Sequence, residues 1–424
     1  MDHRSIIQKS LDDIEAHLQT EITAAELAET AGFSLFHYYR LFQQATGLPV
    51  MQYILRRRLL HGIYAIAQGS SKTDAAFAYG FDTYAGFYRA FCREFGSTPS
   101  EFLQSCRARR PYKIDITKEE HMIITHKKAT QILQKWNLSN EPITDIYYEG
   151  TQNRNENACY VGEKYILKHT ANFGKLKKHI EVSKALSSIG LLSAVPLPTS
   201  DGAEFIQDGE LYFYLTCRLP GTQMAAHRFG EGDGRFVGEI IGQLHLALEG
   251  IEDCVSEADL LGTVRDWALP KAQAALGLDD GFCKEYLDSF AALYPILPRQ
   301  IIHRDPNPGN IICADDQWGF IDFELAERNA RIYDPCYAAT AVLSETFGQN
   351  KDRWLEIYRD ILWGYDSVAK LSEEERRAIP YVILANQFVC VAWFSEQDKY
   401  REIFETNKKM TMWLIDNIEE LRQV

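Results

Sequence analysis

One segment near residue 300 limits the possible folds of this chain more than any other. Apolar pairs at 301–302 and 311–312 flank the polar sequence His-Arg-Asp-Pro-Asn-Pro-Gly-Asn. This pattern predicts a buried strand, a proline-rich loop and a second strand. A turn then leads back along Gly319–Glu324, a third predicted strand that contains Asp322. We therefore expect a compact strand–loop–strand unit that carries several polar side chains.

The polar residues of this unit suit the chemistry of phosphoryl transfer. That reaction needs a carboxylate to orient and deprotonate the acceptor hydroxyl, and oxygen ligands for Mg²⁺. Asp305 is the predicted catalytic base, and Asn310 and Asp322 are the predicted Mg²⁺ ligands. His303 is expected to brace the loop. An ordinary turn with polar ends is the alternative, which the H-x-D-x-x-x-x-N pattern between apolar strands disfavours.

A polar loop lies upstream between predicted strands. Residues Ile143–Tyr148 and Ala158–Val161 are strand-like, and the loop between them is rich in Gly and Asn. Such a hairpin predicts a flap that covers nucleotide phosphates, with Asn153 and Asn155 as cofactor-binding candidates. The loop alone is not specific, because any β-hairpin can carry these residue types.

Two charged residues further along fit the same nucleotide site. Lys168 ends a predicted strand, and Glu181 lies near the middle of a helix predicted over about 175–189. A lysine on a strand, steadied by a glutamate on a helix, can align a triphosphate. Taken singly, a surface lysine and a solvated glutamate are the favoured interpretation. The motif around Asp305 favours the nucleotide-binding interpretation of Lys168 and Glu181.

The first hundred residues contain an internal repeat. Ala28–Phe33 and Ala76–Phe81 share the pattern Ala-x-x-x-Gly-Phe, and each is followed by Tyr-Arg-x-Phe and a further glycine. In each copy a helix is expected to end at Gly-Phe and a second to begin after a short turn, as in a helix-turn-helix. A helix over roughly Met51–Gln68 joins the copies. A single copy would also fit a helical hairpin of any bundle, but the repetition disfavours that alternative.

Composition separates this segment from the rest of the chain. The 424 residues carry a net charge of −14, with 45 Lys/Arg and 59 Asp/Glu. Residues 1–112 hold 12 Lys/Arg and 11 Asp/Glu, so the acidic excess lies downstream. Because 424 residues are more than a single hydrophobic core usually contains, two or three domains are expected.

Cysteine usage and hydropathy predict a cytoplasmic protein without a membrane partner. The nine cysteines include no C-x-x-C pair, so neither a disulfide framework nor a zinc site is expected. The N-terminus lacks the apolar core of a signal peptide. The longest uncharged run, Ala378–Ser395, contains Pro, Asn and Gln and predicts a buried helix rather than a membrane span.

The repeat resembles the DNA-binding module of the AraC/XylS family of transcription regulators over about one hundred residues. The second copy follows the family signature at Gly80-Phe81, Phe87–Phe91, Gly96 and Pro99. The resemblance implies double-stranded DNA as a partner. It implies these base-facing candidates: Phe36, Tyr39, Arg40, Tyr84 and Arg89. Guanine recognition and phosphate contact remain equally favoured for the arginines.

The module also departs from that family. Ala85-Gly86 falls inside the second recognition helix, where glycine weakens a helix by about 1 kcal/mol relative to alanine. The module is nearly neutral, whereas strong DNA binders tend to be basic. These features predict modest affinity or binding as a homodimer.

The downstream residues resemble the aminoglycoside phosphotransferase family, which includes choline and homoserine kinases with a protein-kinase-like fold. The resemblance runs from about Gln131 to the C-terminus and includes Gly238–His245 and Asp334-Pro335. It implies that Asp305 is the base, that Asn310 and Asp322 hold Mg²⁺, and that Lys168 with Glu181 positions ATP or GTP.

Spacing favours a small-molecule kinase over a protein kinase. Only eleven residues separate Asp322 from Asp334, and no A-P-E sequence follows, so a long activation segment has little room. C-terminal helices would then form the acceptor pocket, with Trp363, Trp393 and Phe394 either lining it or, as favoured, lying in the core. The acidic charge suits a cationic acceptor, although it serves solubility equally.

The expected architecture is multidomain. An all-α double helix-turn-helix domain over 1–110 is followed by a linker over 111–130. An α+β two-lobed protein-kinase-like domain occupies 131–424, with an N-lobe over about 131–217 and a C-lobe over about 218–424. The leading hypothesis is a phosphotransferase of a small hydroxylated molecule fused to a DNA-binding regulator. A regulator with a non-catalytic, ligand-sensing kinase-like domain is the rival, and a protein-interaction bundle at the N-terminus is a third possibility.

Overall fold

The computed structural model describes residues 3–105, 108–117, 122–147, 154–251, 255–314 and 317–423. The chain divides into two compact units. One comprises Met1–Ala171 and Pro198–Leu215, and the other comprises Asn172–Leu197 and Thr216–Val424. The first unit contains the repeat, and the second contains the Asp305 loop.

Helices dominate both units. In the first unit they are α1 (His3–Ala16), α2 (Ala24–Thr30), α3 (Leu35–Thr46), α4 (Val50–Ala67), α5 (Lys72–Ala78), α6 (Tyr84–Phe95), α7 (Pro99–Gln104) and α8 (His126–Leu133). In the second unit they are α9 (Phe173–Ser188), α10 (Asp233–Leu248), α11 (Leu260–Thr263), α12 (Leu269–Leu276), α13 (Asp280–Leu293), α14 (Tyr333–Val368), α15 (Glu373–Ser395), α16 (Arg401–Asp416) and α17 (Ile418–Leu421).

The strands form one larger sheet and two smaller ones. In chain order they are β1 (Ile143–Tyr147), β2 (Arg154–Val161), β3 (Tyr165–Thr170), β4 (Leu192–Ser193), β5 (Ile206–Asp208), β6 (Leu211–Cys217), β7 (Thr222–Gln223), β8 (Arg299–Ile302), β9 (Ile311–Ala314), β10 (Gln317–Phe320) and β11 (Glu327–Ala330). The sheets have the orders β1-β2-β3-β6-β5, β4-β10-β9-β7 and β11-β8. Downstream of the repeat the chain combines these sheets with helices, as the expected α+β architecture requires.

The repeat folds as two helix-turn-helix motifs, α2–α3 and α5–α6, joined by α4. Ser34 and Thr83 cap the second helix of each motif, because each hydroxyl accepts a hydrogen bond from a backbone N–H of the first turn. Gly86 lies in that first turn, and its N–H donates to Thr83 Oγ1 at 3.0 Å. The capped turn therefore accommodates the glycine, and α6 continues to Phe95.

Each motif has its own apolar core. Tyr38, Phe42 and Tyr53 are buried in the first, and Phe87 and Phe91 are buried in the second. The first core also includes Ile114, Ile116 and Ile123 from the segment after α7. Part of the sequence predicted as a linker is therefore packed against the first motif, and the exact domain boundaries stay a prediction.

In the second unit, α10 packs against α14 at glycines that leave no space for a side chain. A Cβ at Gly238 would overlap the carbonyl oxygen of Ile361, and one at Gly364 would overlap that of Arg235. Gly348, also in α14, has no atom within 4 Å of such a Cβ. Close packing of these two helices thus depends on particular glycines and not on every glycine they contain.

Replacing Gly238 by alanine is expected to lower the free energy of unfolding by about 1–3 kcal/mol, because the added methyl forces the two helices apart. Gly348→Ala is the matched control and should raise stability by up to about 1 kcal/mol through helix propensity. Urea unfolding of both variants checks this difference. Equal effects of the two substitutions would contradict the close packing at Gly238.

One described helix, α15, is long and apolar enough to cross a membrane by length and composition alone. Two thirds of its most apolar window is buried inside the protein, and it packs against α12, α13, α14 and α16. It lies where the sequence predicts a buried helix.

Candidate active site

The loop after β8 carries the predicted catalytic residue. His303, Arg304 and Asp305 follow the buried end of β8, and a short 3₁₀ turn at Pro308–Asn310 leads into β9. Asn310 Nδ2 donates to both the backbone oxygen and the carboxylate of Asp305, at 2.9 and 3.2 Å. The two predicted site residues of this loop are therefore in direct contact.

Further hydrogen bonds position the Asp305 carboxylate. Asn307 Nδ2 donates to Oδ1 at 2.8 Å, and the Tyr337 hydroxyl of α14 is also hydrogen-bonded to this carboxylate. Burial nevertheless raises the pKa of Asp305 above the ordinary value, and the nearby charge of Asp322 acts in the same direction. A carboxylate in such surroundings holds a proton more readily than an exposed one, which suits a group that accepts a proton during a reaction.

His303 and Asn310 link the loop to the segment that bears Asp322. His303 Nδ1 accepts from the backbone N–H of Asp305 at 3.3 Å, so Nε2 is assigned the proton and donates to Ile321 O at 3.0 Å. The backbone N–H of Ile321 donates to Asn310 O at 3.0 Å. These bonds hold Asp322, the next residue, beside the loop.

Two residues of this site have a left-handed backbone. Arg304 has φ +78° and Asp322 has φ +72°, values that are uncommon outside glycine. Such strain persists only where the surroundings enforce it, and it is found most often at functional sites. Here the bonds from His303 and Asn310 supply part of that constraint.

A buried carboxylate at the start of α14 anchors the same loop. Asp334 accepts from the backbone N–H groups of His303 and Arg304, at 2.8 and 3.0 Å, and from His245 Nε2 at 3.0 Å. His245 Nδ1 in turn lies 2.8 Å from the hydroxyl of Tyr365. Asp334 belongs to a segment that resembles the family in sequence, but this anchoring role was not predicted. The Asp-Pro pair at a helix start, with a histidine in α10, was the available signal.

The residues present fit a Mg²⁺ ion that is bound together with substrate phosphates. Among the described residues no group of three or more His, Cys, Asp or Glu side chains forms a metal site. Mg²⁺ does not need one, since it is commonly held by one or two carboxylates, water and phosphate oxygens. The side-chain nitrogen of Asn310 donates a hydrogen bond to Asp305. The atoms suited to the ion are therefore the side-chain carbonyl oxygen of Asn310 and the carboxylate of Asp322.

The predicted nucleotide residues lie in both units. In the first, Lys168 pairs with Ala158 across β3 and β2, and Asn155 Oδ1 accepts from the backbone N–H of Asn157 at 3.0 Å. In the second, Glu181 of α9 lies 3.6 Å from Lys177. Its Oε2 is buried and has no hydrogen-bond partner among the described residues. Asn153 lies outside the described residues, and the nucleotide roles stay predictions.

The predicted DNA-binding residues differ in exposure. Phe36 is 81% exposed on α3, Tyr39 is 37% exposed, and Arg40 is exposed with Nη2 3.2 Å from His37 Nδ1. On α6, Arg89 is exposed, whereas Tyr84 is half-buried. Of these candidates, the three on α3 and Arg89 present accessible side chains.

The C-terminal aromatic residues correct one expectation. Trp363 and Trp393, favoured as core residues, are 49% and 40% exposed, and Phe394 is half-buried. Trp393 packs against Phe394 and Tyr400 with ring centroids 5.1 Å apart in each case. A helix that is apolar over most of its length can still turn individual aromatic side chains to solvent, which composition does not reveal.

Two amides of α15 lie in the run predicted as a buried helix, but the sequence did not indicate a role for them at the site. Asn386 and Gln387 are 0% and 1% exposed. Both polar atoms of Asn386 and the Oε1 of Gln387 have no hydrogen-bond partner among the described residues. They lie one turn before Cys390 on the same helix. Burial raises the pKa of the Cys390 thiol, and the charges of Arg304 and Asp305 also act on it. Unpaired buried polar groups are unfavourable and call for an explanation.

Two family models match the chain in separate regions. The model described as a helix-turn-helix domain matches residues 27–105, and the one described as the phosphotransferase enzyme family matches residues 151–371. The second match covers more than half of the chain. The N-terminal module is thus an AraC-type helix-turn-helix region, as predicted.

Curated relatives fall into two groups. The transcriptional regulator Rob of Salmonella typhimurium is 30% identical over 158 residues, which are 35% of this chain and 55% of that protein. The right origin-binding protein of Escherichia coli is 31% identical over the same length and shares. A homoserine kinase of Sinorhizobium fredii is 29% identical over 250 residues, 55% of this chain and 72% of that protein. The chain therefore spans about half the length of the regulators it matches.

Solved kinase structures share the fold at low sequence identity. An amicoumacin kinase in complex with AMP-PNP, Ca²⁺ and its ligand has a TM-score of 0.53 at 14% identity, covering 67% of this chain and 92% of that one. A microcompartment-associated aminopropanol kinase has a TM-score of 0.52 at 15% identity, covering 70% and 97%. At this level of identity the likeness establishes the fold alone.

Proposed function

The chain belongs to the phosphotransferase enzyme family, and on that premise we propose that it transfers the terminal phosphoryl group of ATP or GTP to a small hydroxylated molecule. The observation that carries the proposal is the direct hydrogen bonding of Asn310 to Asp305, together with the bond from the backbone N–H of Ile321, the residue before Asp322, to Asn310 O. A fold can persist without activity, so the proposal depends on these side chains and not on the fold.

Each residue of the candidate site has a distinct role in the proposed reaction. Asp305 orients the acceptor hydroxyl and takes its proton at a carboxylate oxygen, as its raised pKa favours. Asn310 and Asp322 would hold Mg²⁺, which neutralises phosphate charge when bound. Asp334 fixes the backbone of the loop and is a positioning residue. Lys168 and Glu181 are proposed to align the nucleotide.

The acceptor is proposed to be a compact molecule that carries an amine beside its hydroxyl. Proteins named homoserine kinase and aminopropanol kinase are similar to this chain. Both names denote a small molecule that carries an amine and a hydroxyl. The net charge of −14 is compatible with a cationic ligand. The side-chain oxygen of Gln387 is buried and has no hydrogen-bond partner among the described residues. It is suited to accept a hydrogen bond from the amine of such an acceptor.

A screen for ATP consumption tests the proposed activity. The purified chain would be incubated with Mg²⁺ and ATP against homoserine, aminopropanol, choline and aminoglycosides. Turnover with one acceptor identifies the substrate class. Nucleotide binding without transfer to any acceptor would instead support the rival function, a regulator whose kinase-like part senses a ligand. The match of residues 27–105 to a DNA-binding domain is the observation that keeps this rival in view.

The N-terminal module is proposed to bind specific double-stranded DNA in the cytoplasm and to regulate transcription, acting as a homodimer if one module binds weakly. Replacing Arg40 by alanine is expected to weaken DNA binding by about 1–3 kcal/mol, because this exposed arginine on α3 is suited to contact a base or phosphate.

The measurement is the dissociation constant for a duplex selected from a random pool, taken at several salt concentrations. Arg265→Ala, at an exposed arginine paired with Asp266 in the second unit, is the matched control and should leave affinity unchanged. Loss of specificity would indicate base contact, and a shallower salt dependence would indicate phosphate contact. Unchanged affinity of the Arg40 variant would remove this residue from the interface.

A further inference from the structure

The segment after α7 is fastened to the DNA-binding module. It has no regular secondary structure over 108–115, yet Ile114 and Ile116 are buried in the core of the first helix-turn-helix motif. Both polar atoms of the Gln8 side-chain amide, on α1, are hydrogen-bonded to this segment. Gln8 Nε2 donates to Ile114 O at 2.9 Å, and Oε1 accepts from the backbone N–H of Ile116 at 2.8 Å. A passive tether would not need such contacts.

A buried ion pair of the module extends to the same segment. Arg57 of α4 has a side chain only 4% exposed, and it donates to both carboxylate oxygens of Glu15 at 2.8 and 2.6 Å. Its Nη2 also donates to the backbone oxygen of Tyr112 at 2.9 Å. The helix that joins the two DNA-binding motifs is therefore linked directly to Tyr112.

Tyr112 in turn contacts the strands that carry predicted nucleotide residues. Its hydroxyl donates to a carboxylate oxygen of Glu156 in β2. Glu156 follows Asn155, a predicted nucleotide contact, and its backbone oxygen lies 3.1 Å from His169 Nε2. His169 is buried in β3 beside Lys168. One chain of hydrogen bonds thus runs from α4 to β2 and β3, all within the first compact unit.

A second, independent link starts at the end of α3. Gln44 Nε2 donates to Glu210 in the β5–β6 hairpin at 2.8 Å. Two residues later, Thr46 O accepts from the backbone N–H of Ile123 at 3.0 Å. Gly47 follows with φ +79°, and any Cβ there would overlap Ile123 O, so only glycine permits this approach. The candidate DNA-reading helix is thereby attached to the sheet at its C-terminal end.

The geometry points to a coupling between nucleotide and DNA through Tyr112 and Glu156, such that Mg·nucleotide and DNA change each other's affinity. This inference rests on the proposed function, because it takes β2 and β3 as the nucleotide-binding strands. Coupling of binding is reciprocal, so nucleotide must change the affinity for DNA by the same factor as DNA changes that for nucleotide. Typical factors are about 5- to 150-fold.

Hydrogen exchange of the full chain, with and without Mg·AMP-PNP, tests the inference without a known operator. In the wild type, nucleotide is expected to slow exchange in β3 and also in 108–117 and α4. In Tyr112→Phe, which retains the ring and removes only the hydroxyl, protection of β3 should remain and the change in α4 should be lost. Tyr64→Phe, which removes a tyrosine hydroxyl from α4 itself, is the matched control and should behave as the wild type. Glu156→Gln, which removes the charge that the hydroxyl contacts, should resemble Tyr112→Phe.

The outcomes separate this inference from the proposed function. Protection of β3 with no change in α4, or an unchanged α4 response in Tyr112→Phe, would overturn the coupling and leave the proposed function standing. Absence of protection anywhere would overturn the proposed function and the coupling with it. For a duplex selected by the full chain, equal factors of at least about fivefold are expected in both directions. A factor of one, that is, no change in either affinity when the other ligand is bound, would also contradict the coupling.

Discussion

Asp305→Asn is expected to lower the turnover number for the identified acceptor by about 10²- to 10⁴-fold, the usual contribution of a general base. The amide has the shape of the carboxylate and can still accept a hydrogen bond from Asn307 or Asn310. It cannot take the proton of the acceptor hydroxyl. Circular dichroism and the thermal midpoint should remain close to those of the wild type, which makes the loss attributable to chemistry.

The pH dependence gives this prediction a second readout. Because burial raises the pKa of Asp305 and the base acts when deprotonated, the wild-type rate should fall on acidification at a higher pH than an exposed aspartate would give. Asp266→Asn, at an exposed aspartate paired with Arg265, is the matched control and should leave both turnover and profile unchanged. Full activity of Asp305→Asn would exclude Asp305 as the base.

Arg57→Met is expected to lower the free energy of unfolding of the first unit by about 3–5 kcal/mol. The substitution leaves the carboxylate of Glu15 in a largely buried position, 20% exposed, without its bidentate partner. Lys284→Met removes an exposed i,i+4 pair with Asp288 and should cost less than about 1 kcal/mol. Urea unfolding followed by helix content provides the comparison, and equal losses in the two variants would contradict the account of the buried pair.

Acid should reduce the difference between wild type and Arg57→Met. Burial opposes ionisation of Glu15, but hydrogen bonds from His61 and Arg57 outweigh it and lower the pKa of Glu15 from 4.5 to about 2. Because the folded pKa lies below the unfolded value, this stabilisation is present above about pH 4.5 and is lost as the pH falls towards 2. A difference that stays constant over this window would indicate that Arg57 stabilises the fold by packing alone.

Features with a local sequence signal were predictable. The paired Gly-Phe sequences locate both helix-turn-helix motifs because glycine ends each first helix in a left-handed turn, with φ +74° at Gly32 and +80° at Gly80. The Asp305 loop was also predictable, since its flanking isoleucines fix the strands and its polar residues are adjacent in sequence. Neither inference needed knowledge of distant contacts.

Contacts between distant residues were not predictable from pattern. The three consecutive arginines of α4 look like a DNA-binding cluster, but Arg56 pairs with Glu94, Arg57 with Glu15, and Arg58 bonds the backbone oxygens of Leu18 and Thr20. Likewise, composition gives no sign that Ile114, Ile116 and Ile123, in the segment predicted as a linker, are buried in a core. The side chain of a charged residue turns inward when a partner exists in the fold, and the partner here is about forty residues away in each case.

Transfer of labelled γ-phosphate from ATP to the acceptor found in the screen tests the central claim most directly. The wild-type chain with Mg²⁺ is predicted to label the acceptor, and Asp322→Ala is predicted to abolish labelling while keeping its fold, because a ligand of the metal is lost. If the wild type binds nucleotide yet labels no acceptor in the panel, or if Asp322→Ala labels as fast as the wild type, the assignment of this site as a phosphotransferase centre is contradicted.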